Sequence, residues 1–170
     1  MSTRIIYTSR TGNTKMLAQR IFETVEDDDK NIYPVEEWQH DTDADTYFVG
    51  FWNNRGTCSL EICDLLDELD GRRVALFGTC GMPDSHDYYQ TVEDAVKVWL
   101  PDHVDYLGCF LCQGKMPMST RHKFEEMRNE DNAKEIDACI RNFDAALLHP
   151  DEEDLGRAAE FTRNVMKRQN

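Results

Sequence analysis

The stretch RIIYTSRTGNT, residues 4–14, sets an apolar run directly before a cluster of short polar side chains. Its apolar part, RIIYT at residues 4–8, has the length and composition of a buried strand. Apolar residues then recur at the three- and four-residue spacing of one helix face. Those residues are Leu17, Ala18, Ile21 and Val25. The stretch therefore predicts a strand, a tight turn that holds the polar residues, and a helix.

The same alternation of strands and helices continues along the chain. Apolar runs at residues 31–35, 46–51, 72–78 and 104–112 predict four further strands, and Pro34 favours an edge position for the first of these. The helical stripes that follow are Ile62, Cys63, Leu66 and Leu69; Val92, Ala95, Val96 and Trp99; Ile136, Cys139, Ile140, Phe143 and Leu147; and Leu155, Ala158, Ala159, Thr162, Val165 and Met166. Because alternating strands and helices join through right-handed crossovers, we expect a doubly wound, five-stranded parallel α/β sheet with helices on both faces.

Length and charge narrow the class of protein. The 170 residues, 40% of them apolar, are enough for one core, so a single domain over residues 1–170 is predicted, with residues 149–170 as an additional C-terminal helix. No run of about 18 apolar residues and no leader segment is evident, which favours a cytoplasmic protein. The net charge of −14 argues against nucleic acid and anionic membrane, and it favours protein partners with a basic docking surface. We expect a monomer or a weak dimer.

The cysteines and histidines form no recognisable catalytic or metal-binding pattern. Cys109 and Cys112 have CxxC spacing, but they lie in a predicted strand, where positions three apart point to opposite faces. The five histidines lack the spacing of metal ligands or of a catalytic triad, and only His86 falls in a candidate site loop. We therefore predict no metal site and no catalytic residue, and we interpret the six cysteines as reduced thiols.

Three loops follow predicted strands that end at the same edge of the sheet, where open parallel sheets bind ligands. The loops are residues 8–14, 51–58 and 78–89. In the first loop, the polar residues Ser9, Thr11, Asn13 and Thr14 and the free amides of the helix start can surround a phosphate. The GxxxxGK[ST] and GxGxxG patterns are absent, so a single terminal phosphate is expected. The alternative is a plain helix N-cap rich in serine and threonine.

The second and third loops carry aromatic residues. Trp52 follows the third predicted strand, and Tyr88 and Tyr89 end the third loop. Aromatic side chains beside a phosphate site suggest a flat, conjugated ligand held between rings. The alternative is that Trp52 and Tyr88 are ordinary, partly buried packing residues.

Together these motifs resemble the flavodoxin family. IIYTSRTGNTKMLA is similar to the flavodoxin signature, in which an apolar strand runs into [ST]-x-T-G-N-T and a helix. TYFVGF followed by Trp, and VALFGTCG followed by Tyr, fall where that family has its two flavin-flanking loops. The resemblance covers residues 3 to about 148 in order.

The resemblance implies noncovalent FMN, with its 5′-phosphate in the first loop and its ring between the other two. The FMN-binding residues that it implies are Ser9, Arg10, Thr11, Gly12, Asn13, Thr14, Phe51, Trp52, Asn53, Asn54, Gly78, Thr79, Cys80, Gly81, Tyr88 and Tyr89. Arg10 departs from the family pattern because it brings a cation to a site that the family usually keeps neutral. Whether Tyr88 or Tyr89 stacks on the ring stays open.

The leading hypothesis is an electron carrier that shuttles electrons between FMN and a partner reductase, as a general flavodoxin or as a dedicated donor. The Asn53 carbonyl could then accept a hydrogen bond from N5 of the reduced flavin. The alternative is an FMN-dependent NAD(P)H:quinone-type oxidoreductase, although no second dinucleotide-binding motif is present. A flavin-free receiver of the same topology would need acidic residues after the first and third strands, where this chain has YTSR and GFWN.

Overall fold

The computed structural model describes residues 1–40, 43–83 and 85–168, and this part of the chain contains one five-stranded sheet. The strands are β1, Ser2–Tyr7; β2, Asp29–Pro34; β3, Thr46–Trp52; β4, Arg73–Cys80; and β5, Asp105–Gln113. Neighbouring strands are parallel, in the order β2-β1-β3-β4-β5. The predicted parallel sheet is thus confirmed, and Pro34 ends an edge strand. Asp84 of the third predicted loop and the last two residues of the predicted domain, 169 and 170, lie outside the described residues.

The central strands β1, β3 and β4 are buried on both faces, which is why their sequences are nearly continuous apolar runs. Ile5 of β1 lies opposite Phe48 of β3, and Ile6 lies opposite Val49. The first pair packs in the core under one face of the sheet, and the second pair packs in the core under the other. Alternate residues of each strand therefore contribute to different cores.

Six α-helices lie in the described part of the chain. They are α1, Asn13–Thr24; α2, Leu60–Asp67; α3, His86–Lys97; α4, Met118–Met127; α5, Ala133–Ala146; and α6, Glu152–Lys167, with a short 3₁₀ turn at Val35–Glu37. Residues of α1 and α6 pack with Ile5 on one face, and residues of α2 and α3 pack with Ile6 on the other. None of these helices combines the length and the apolar character that a membrane span requires.

Two predicted positions in the helical stripes are wrong. α3 ends at Lys97, and Trp99, in the turn that follows, is 44% exposed. Similarly, α5 ends at Ala146, and Leu147 is 45% exposed. Both residues continue the apolar spacing in the sequence, but each helix ends before its residue, so the side chain no longer faces the core.

The predicted C-terminal helix is part of the core. α6 packs against α1 and β5, and its residues Leu155, Ala158 and Val165 are buried there. A capping box fixes its start: the Asp151 carboxylate accepts a hydrogen bond from the Asp154 amide, and the Asp154 carboxylate accepts one from the Asp151 amide. α6 therefore covers the sheet next to α1.

Residues 118–146, which form α4 and α5, make an excursion between β5 and α6. The two helices pack on each other, and α4 buries none of its residues. The side-chain amide of Asn142 on α5 donates to the Gly81 carbonyl at 2.9 Å, and the Gln113 side chain donates to the same carbonyl at 3.3 Å. These bonds attach the excursion to the carboxyl ends of β4 and β5.

Candidate functional site

The carboxyl ends of four strands surround a cavity of about 180 Å³. Its lining comes from the loop after β1, the end of β3, the end of β4, the segment after β5 and the first turn of α4. The lining residues are Arg10, Thr11, Asn13, Trp52, Asn53, Thr79, Cys80, Gly81, Gly114, Lys115, Met116, Pro117 and Thr120. This is the edge at which an open parallel sheet binds ligands, so the predicted loops do meet at one place.

Gly12 allows the tight turn between the loop after β1 and α1. Gly12 is the N-cap of α1 and has φ of 87°, a left-handed conformation that glycine adopts at little cost. No side chain caps the helix at this residue. Ser9 accepts a hydrogen bond from the Lys15 amide at 3.3 Å, so its hydroxyl oxygen supports the first turn from within the loop. The start of α1 is thus a turn with backbone donors directed towards the carboxyl edge.

Thr14 is buried and contacts the protein rather than the cavity. Its hydroxyl donates to the Phe51 carbonyl at 3.4 Å, and its Oγ1 lies 3.1 Å from Oγ1 of Thr79. Both contacts join the start of α1 to the ends of β3 and β4. Of the predicted phosphate loop, Arg10, Thr11 and Asn13 line the cavity, whereas Ser9, Gly12 and Thr14 do not.

A segment that the sequence pattern did not predict as part of the site, residues 114–117 after β5, closes over the loop after β1. The Lys115 carbonyl accepts hydrogen bonds from Asn13 Nδ2 at 2.8 Å and from the Thr11 hydroxyl at 3.4 Å. A Cβ on Gly114 would lie 2.7 Å from Asn13 Nδ2, so glycine lets the segment approach without displacing the Asn13 side chain. The available signal was a Gly and a Pro directly after a predicted strand that ends at the same edge.

Trp52, at the end of β3, forms a flat wall of the cavity. The guanidinium carbon of Arg10 lies 5.7 Å from the centroid of the Trp52 ring, within the range of a cation–π contact. The cation that departs from the family pattern therefore lies between the loop after β1 and this ring.

Three hydrogen bonds of 2.7–2.8 Å hold Asn53 in place. Its amide donates to the Thr79 carbonyl at 2.8 Å, its Nδ2 donates to the Tyr88 hydroxyl at 2.7 Å, and its Oδ1 accepts from the Gly56 amide at 2.7 Å. The adjacent turn has positive φ at Arg55, 54°, and at Gly56, 95°. The left-handed residues of this loop are therefore these two, and Asn53 is not one of them.

Tyr88 and Tyr89 take different positions. Tyr88 is half-buried, and its hydroxyl contacts the cavity-lining Asn53. Tyr89 is buried in the core, and its hydroxyl donates to the Met82 carbonyl at 3.4 Å. Tyr89 also lines a separate cavity of about 310 Å³, together with His86. Neither tyrosine lines the 180 Å³ cavity, and Tyr88 is the one connected to it.

The remaining predicted residues divide between lining and support. Thr79, Cys80 and Gly81 line the cavity. Phe51 is buried in the core, and a Cβ on Gly78 would lie 2.6 Å from its carbonyl oxygen, so these two set the close packing of β3 and β4. Asn54 forms an isolated bridge with Thr57. Burial raises the pKa of the Cys80 thiol to about 12, although a hydrogen bond with Asn53 opposes the shift, so the thiol is neutral at pH 7.

These residues suit FMN in chemistry and partly in size. Arg10, Thr11 and the start of α1 offer a phosphate ester cationic and neutral donors, and Trp52 offers a flat apolar surface. The volume of about 180 Å³ is below the roughly 300–1,000 Å³ of pockets for drug-sized ligands, so the cavity can enclose only part of such a molecule.

Comparison with known proteins places the chain among related sequences. A family profile described as Flavodoxin domain matches residues 4–163, which extends past the predicted limit of the resemblance into α6. The Flavodoxin-like domain-containing protein BilS of Clostridioides difficile (strain CD3) is 30% identical over 172 residues, covering 98% of this chain and 97% of that protein.

Solved structures share the fold. The Streptococcus pneumonia TIGR4 flavodoxin matches with a TM-score of 0.62 at 15% identity, covering 99% of each chain. A flavoprotein from Lactobacillus acidophilus NCFM, solved in complex with FMN, matches with a TM-score of 0.52 at 16% identity, covering 65% of this chain and 92% of its own.

Proposed function

The chain belongs to the flavodoxin family, and from that premise we propose that it binds FMN noncovalently and carries electrons to a partner reductase. The observation that carries the proposal is the pairing, in one cavity, of the donor-rich loop after β1 with the ring of Trp52. That pairing suits a ligand with a phosphate at one end and a conjugated ring at the other. The flavoprotein of the same fold that was solved with FMN supports the choice of ligand. When bound, FMN would supply the redox chemistry.

At the phosphate end, Arg10, Thr11 and Asn13 would act on the ligand directly, together with backbone amides at the start of α1. Ser9, Gly12 and Thr14 would act by shaping the loop, since their contacts are with the protein. FMN is preferred to FAD because the loop has no fingerprint for a pyrophosphate.

At the ring end, Trp52 would stack on the flavin, and Asn53 would hold the backbone beside it. The three hydrogen bonds of Asn53 keep the main chain after β3 in one conformation, and in one of them the Tyr88 hydroxyl accepts from Asn53 Nδ2. Stacking on the face of Trp52 that Arg10 covers would require the Arg10 side chain to turn away from the ring.

The composition of the cavity supports a carrier rather than an enzyme that moves protons. Among the described residues that line it there is no carboxylate and no histidine. The Cys80 thiol, with its pKa raised to about 12 by burial, is a poor base and a poor nucleophile at pH 7. Because the chain carries a net charge of −14, we propose a protein partner with a basic docking surface.

The test begins with the absorption spectrum of the purified protein and the mass of any ligand that it releases. We expect a flavin spectrum and the mass of FMN, and finding FAD or no flavin would overturn the proposal. Under anaerobic conditions we expect dithionite to reduce the flavin and NADPH alone to leave it oxidised. Rapid reduction by NADPH with turnover of a quinone would replace the carrier with the NAD(P)H:quinone-type oxidoreductase.

A matched pair of tryptophan variants tests the site itself. Trp52→Leu removes the flat wall, and we expect flavin affinity to fall about tenfold or more because aromatic stacking adds to apolar burial. Trp99→Leu is the control, since Trp99 follows α3 and does not line the cavity. Equal affinities of both variants would remove Trp52 from the proposed site.

A further inference from the structure

The cavity at the carboxyl edge has two cationic lining residues, Arg10 and Lys115, and no acidic one among the described residues. The chain has 33 acidic residues against 19 lysines and arginines, so this composition runs against that of the whole protein. Neither Arg10 nor Lys115 takes part in the ion pairs found in the described part of the chain. The cavity is therefore a place of uncompensated positive charge in an acidic protein.

The main chain of Lys115 is fixed on both sides. Its amide donates to the His149 carbonyl at 3.0 Å, and its carbonyl accepts from Asn13 Nδ2 at 2.8 Å. His149 is fixed in turn, because its Nδ1 lies 2.6 Å from a carboxylate oxygen of Asp154, which is 2% exposed. The exposed Lys115 side chain therefore extends from a rigid attachment at the rim of the cavity, and its four-carbon stem lets the ammonium reach a ligand there.

Arg10 brings the second charge from the opposite side. It belongs to the loop after β1, and its guanidinium carbon lies 5.7 Å from the centroid of the Trp52 ring. In the described part of the chain, the Arg10 guanidinium lies against the Trp52 ring and forms no ion pair with a carboxylate. An anion bound in the cavity would thus have one cation on the loop after β1 and one on the segment after β5.

We propose that Lys115 is a specificity-determining residue that, together with Arg10, selects a phosphate monoester dianion, and so selects FMN over neutral riboflavin. The flavin part of this inference rests on the proposed function, whereas the affinity for a phosphate dianion follows from the charges of the cavity. Since the Lys115 carbonyl also accepts hydrogen bonds from Thr11 and Asn13, the same residue positions two cavity-lining side chains and supplies a charge.

The experiment measures binding of FMN and of riboflavin to protein freed of ligand, by quenching of flavin fluorescence. We expect Lys115→Gln to lower FMN affinity about tenfold and to leave riboflavin affinity unchanged, because only FMN carries the phosphate. Lys115→Arg, which keeps the charge, should retain most of the affinity. Lys123→Gln is the control, because Lys123 is an exposed lysine of α4 that does not line the cavity. Raising the salt from about 50 to 500 mM should weaken FMN binding more in the wild type than in Lys115→Gln.

The outcomes separate this inference from the proposed function. Equal losses of FMN and riboflavin in Lys115→Gln, or no loss of either, would overturn the charge role of Lys115 while FMN binding by the wild type still stands. If the wild type binds no FMN, the proposed function fails. In that case, calorimetric titration with inorganic phosphate tests the charge role of Lys115 on its own. Phosphate binding that Lys115→Gln abolishes supports the inference, and no phosphate binding overturns it.

Discussion

The loop after β1 and the segment after β5 form facing sides of the candidate site, and they differ in how their contribution is encoded. The loop after β1, residues 8–14, concentrates hydroxyl and amide side chains in one short stretch. The segment after β5, residues 114–117, has no such cluster, and it contacts the loop after β1 through one backbone carbonyl, that of Lys115. Side-chain donors can be read from composition, whereas a backbone acceptor gains its role only from where the chain folds.

The order of the strands explains why the sequence around Lys115 does not predict the contact of its carbonyl with the loop after β1. Two strands, β3 and β4, lie between β1 and β5, so the segment after β5 must turn back across their carboxyl ends to reach Asn13. Because every residue type has a backbone carbonyl, the residue type at position 115 does not predict this contact. The approach to the loop after β1 depends on residue type at Gly114, because a side chain there would meet Asn13.

The largest expected effect comes from separating the two sides at Gly114. In Gly114→Ala the new Cβ would lie 2.7 Å from Asn13 Nδ2, closer than real contacts allow, so the Asn13 amide must move and lose its bond to the Lys115 carbonyl. Displacing a packed, buried group in this way costs about 1–3 kcal/mol. We expect flavin affinity to fall about a hundredfold, or ~2.8 kcal/mol, measured by fluorescence titration.

Gly156→Ala is the matched control for that change. Gly156 lies inside α6, and a Cβ added there meets no atom within 4 Å. Replacing a glycine inside a helix with alanine stabilises the fold by about 0.5–1 kcal/mol, and flavin affinity should stay constant. Undiminished affinity in Gly114→Ala would show that the segment after β5 is not part of the site.

Much of the fold follows from periodicity, and the misses have a common cause. The five strands and the helix after Gly12 were predictable because their apolar spacing reflects burial on the two faces of one sheet. The spacing could not show where a helix ends, so Trp99 and Leu147 were placed on buried stripes although both are exposed. The site was also only partly predictable. Composition marked the loop after β1, but the choice between Tyr88 and Tyr89 depends on which side chain faces the core, and the sequence did not show this.

The second prediction concerns Asp154, which holds His149 and through it the main chain of the segment after β5. Burial alone would raise the pKa of Asp154, but hydrogen bonds from His149, from the Asp151 amide and from Arg157 hold that pKa below its ordinary value. Asp154→Asn should lower the free energy of unfolding at pH 7 by about 2 kcal/mol, the scale for hydrogen bonds to a charged group. Glu153→Gln, an exposed neighbour on α6, should change it little.

The pH dependence of that difference has a definite sign. A carboxylate whose folded pKa is depressed stabilises the protein above its unfolded pKa of about 3.9 and loses that contribution as pH falls through the lower folded pKa. The stability gap between the wild type and Asp154→Asn should therefore be full at pH 7 and should narrow from about pH 5 downward. Urea unfolding at several pH values measures it, and a gap that widens on acidification would contradict the assignment.

The third prediction compares two threonines within the loop after β1. Thr14 is buried and bonded to Phe51 and Thr79, so Thr14→Ala should lower the free energy of unfolding by about 1–2 kcal/mol. Thr11 lines the cavity, so Thr11→Ala should lower FMN affinity by about 1–2 kcal/mol and change stability by less than about 0.5 kcal/mol. Chemical unfolding and flavin titration of both variants provide the measurements. A loss of affinity confined to Thr14→Ala would reverse the two roles.

The smallest expected effect concerns the two tyrosines that the sequence could not separate. The Tyr88 hydroxyl accepts the Asn53 Nδ2 hydrogen bond at 2.7 Å, whereas the Tyr89 hydroxyl donates to the Met82 carbonyl away from the cavity. Tyr88→Phe keeps the ring and removes only the acceptor, so it leaves Asn53 with its bonds to Thr79 and Gly56 but with a less restricted side chain.

Because a single hydrogen bond between neutral groups contributes about 0.5–1.5 kcal/mol, we expect Tyr88→Phe to lower FMN affinity about threefold. The matched variant Tyr89→Phe should leave FMN affinity unchanged, whatever it does to stability, since it removes a hydrogen bond to the carbonyl of Met82, a residue that does not line the cavity. Flavin titration at fixed pH and salt measures both variants. If Tyr89→Phe lowers affinity and Tyr88→Phe does not, Asn53 needs no support from Tyr88, and the third loop contributes to the site through Tyr89, which the structure places in the core.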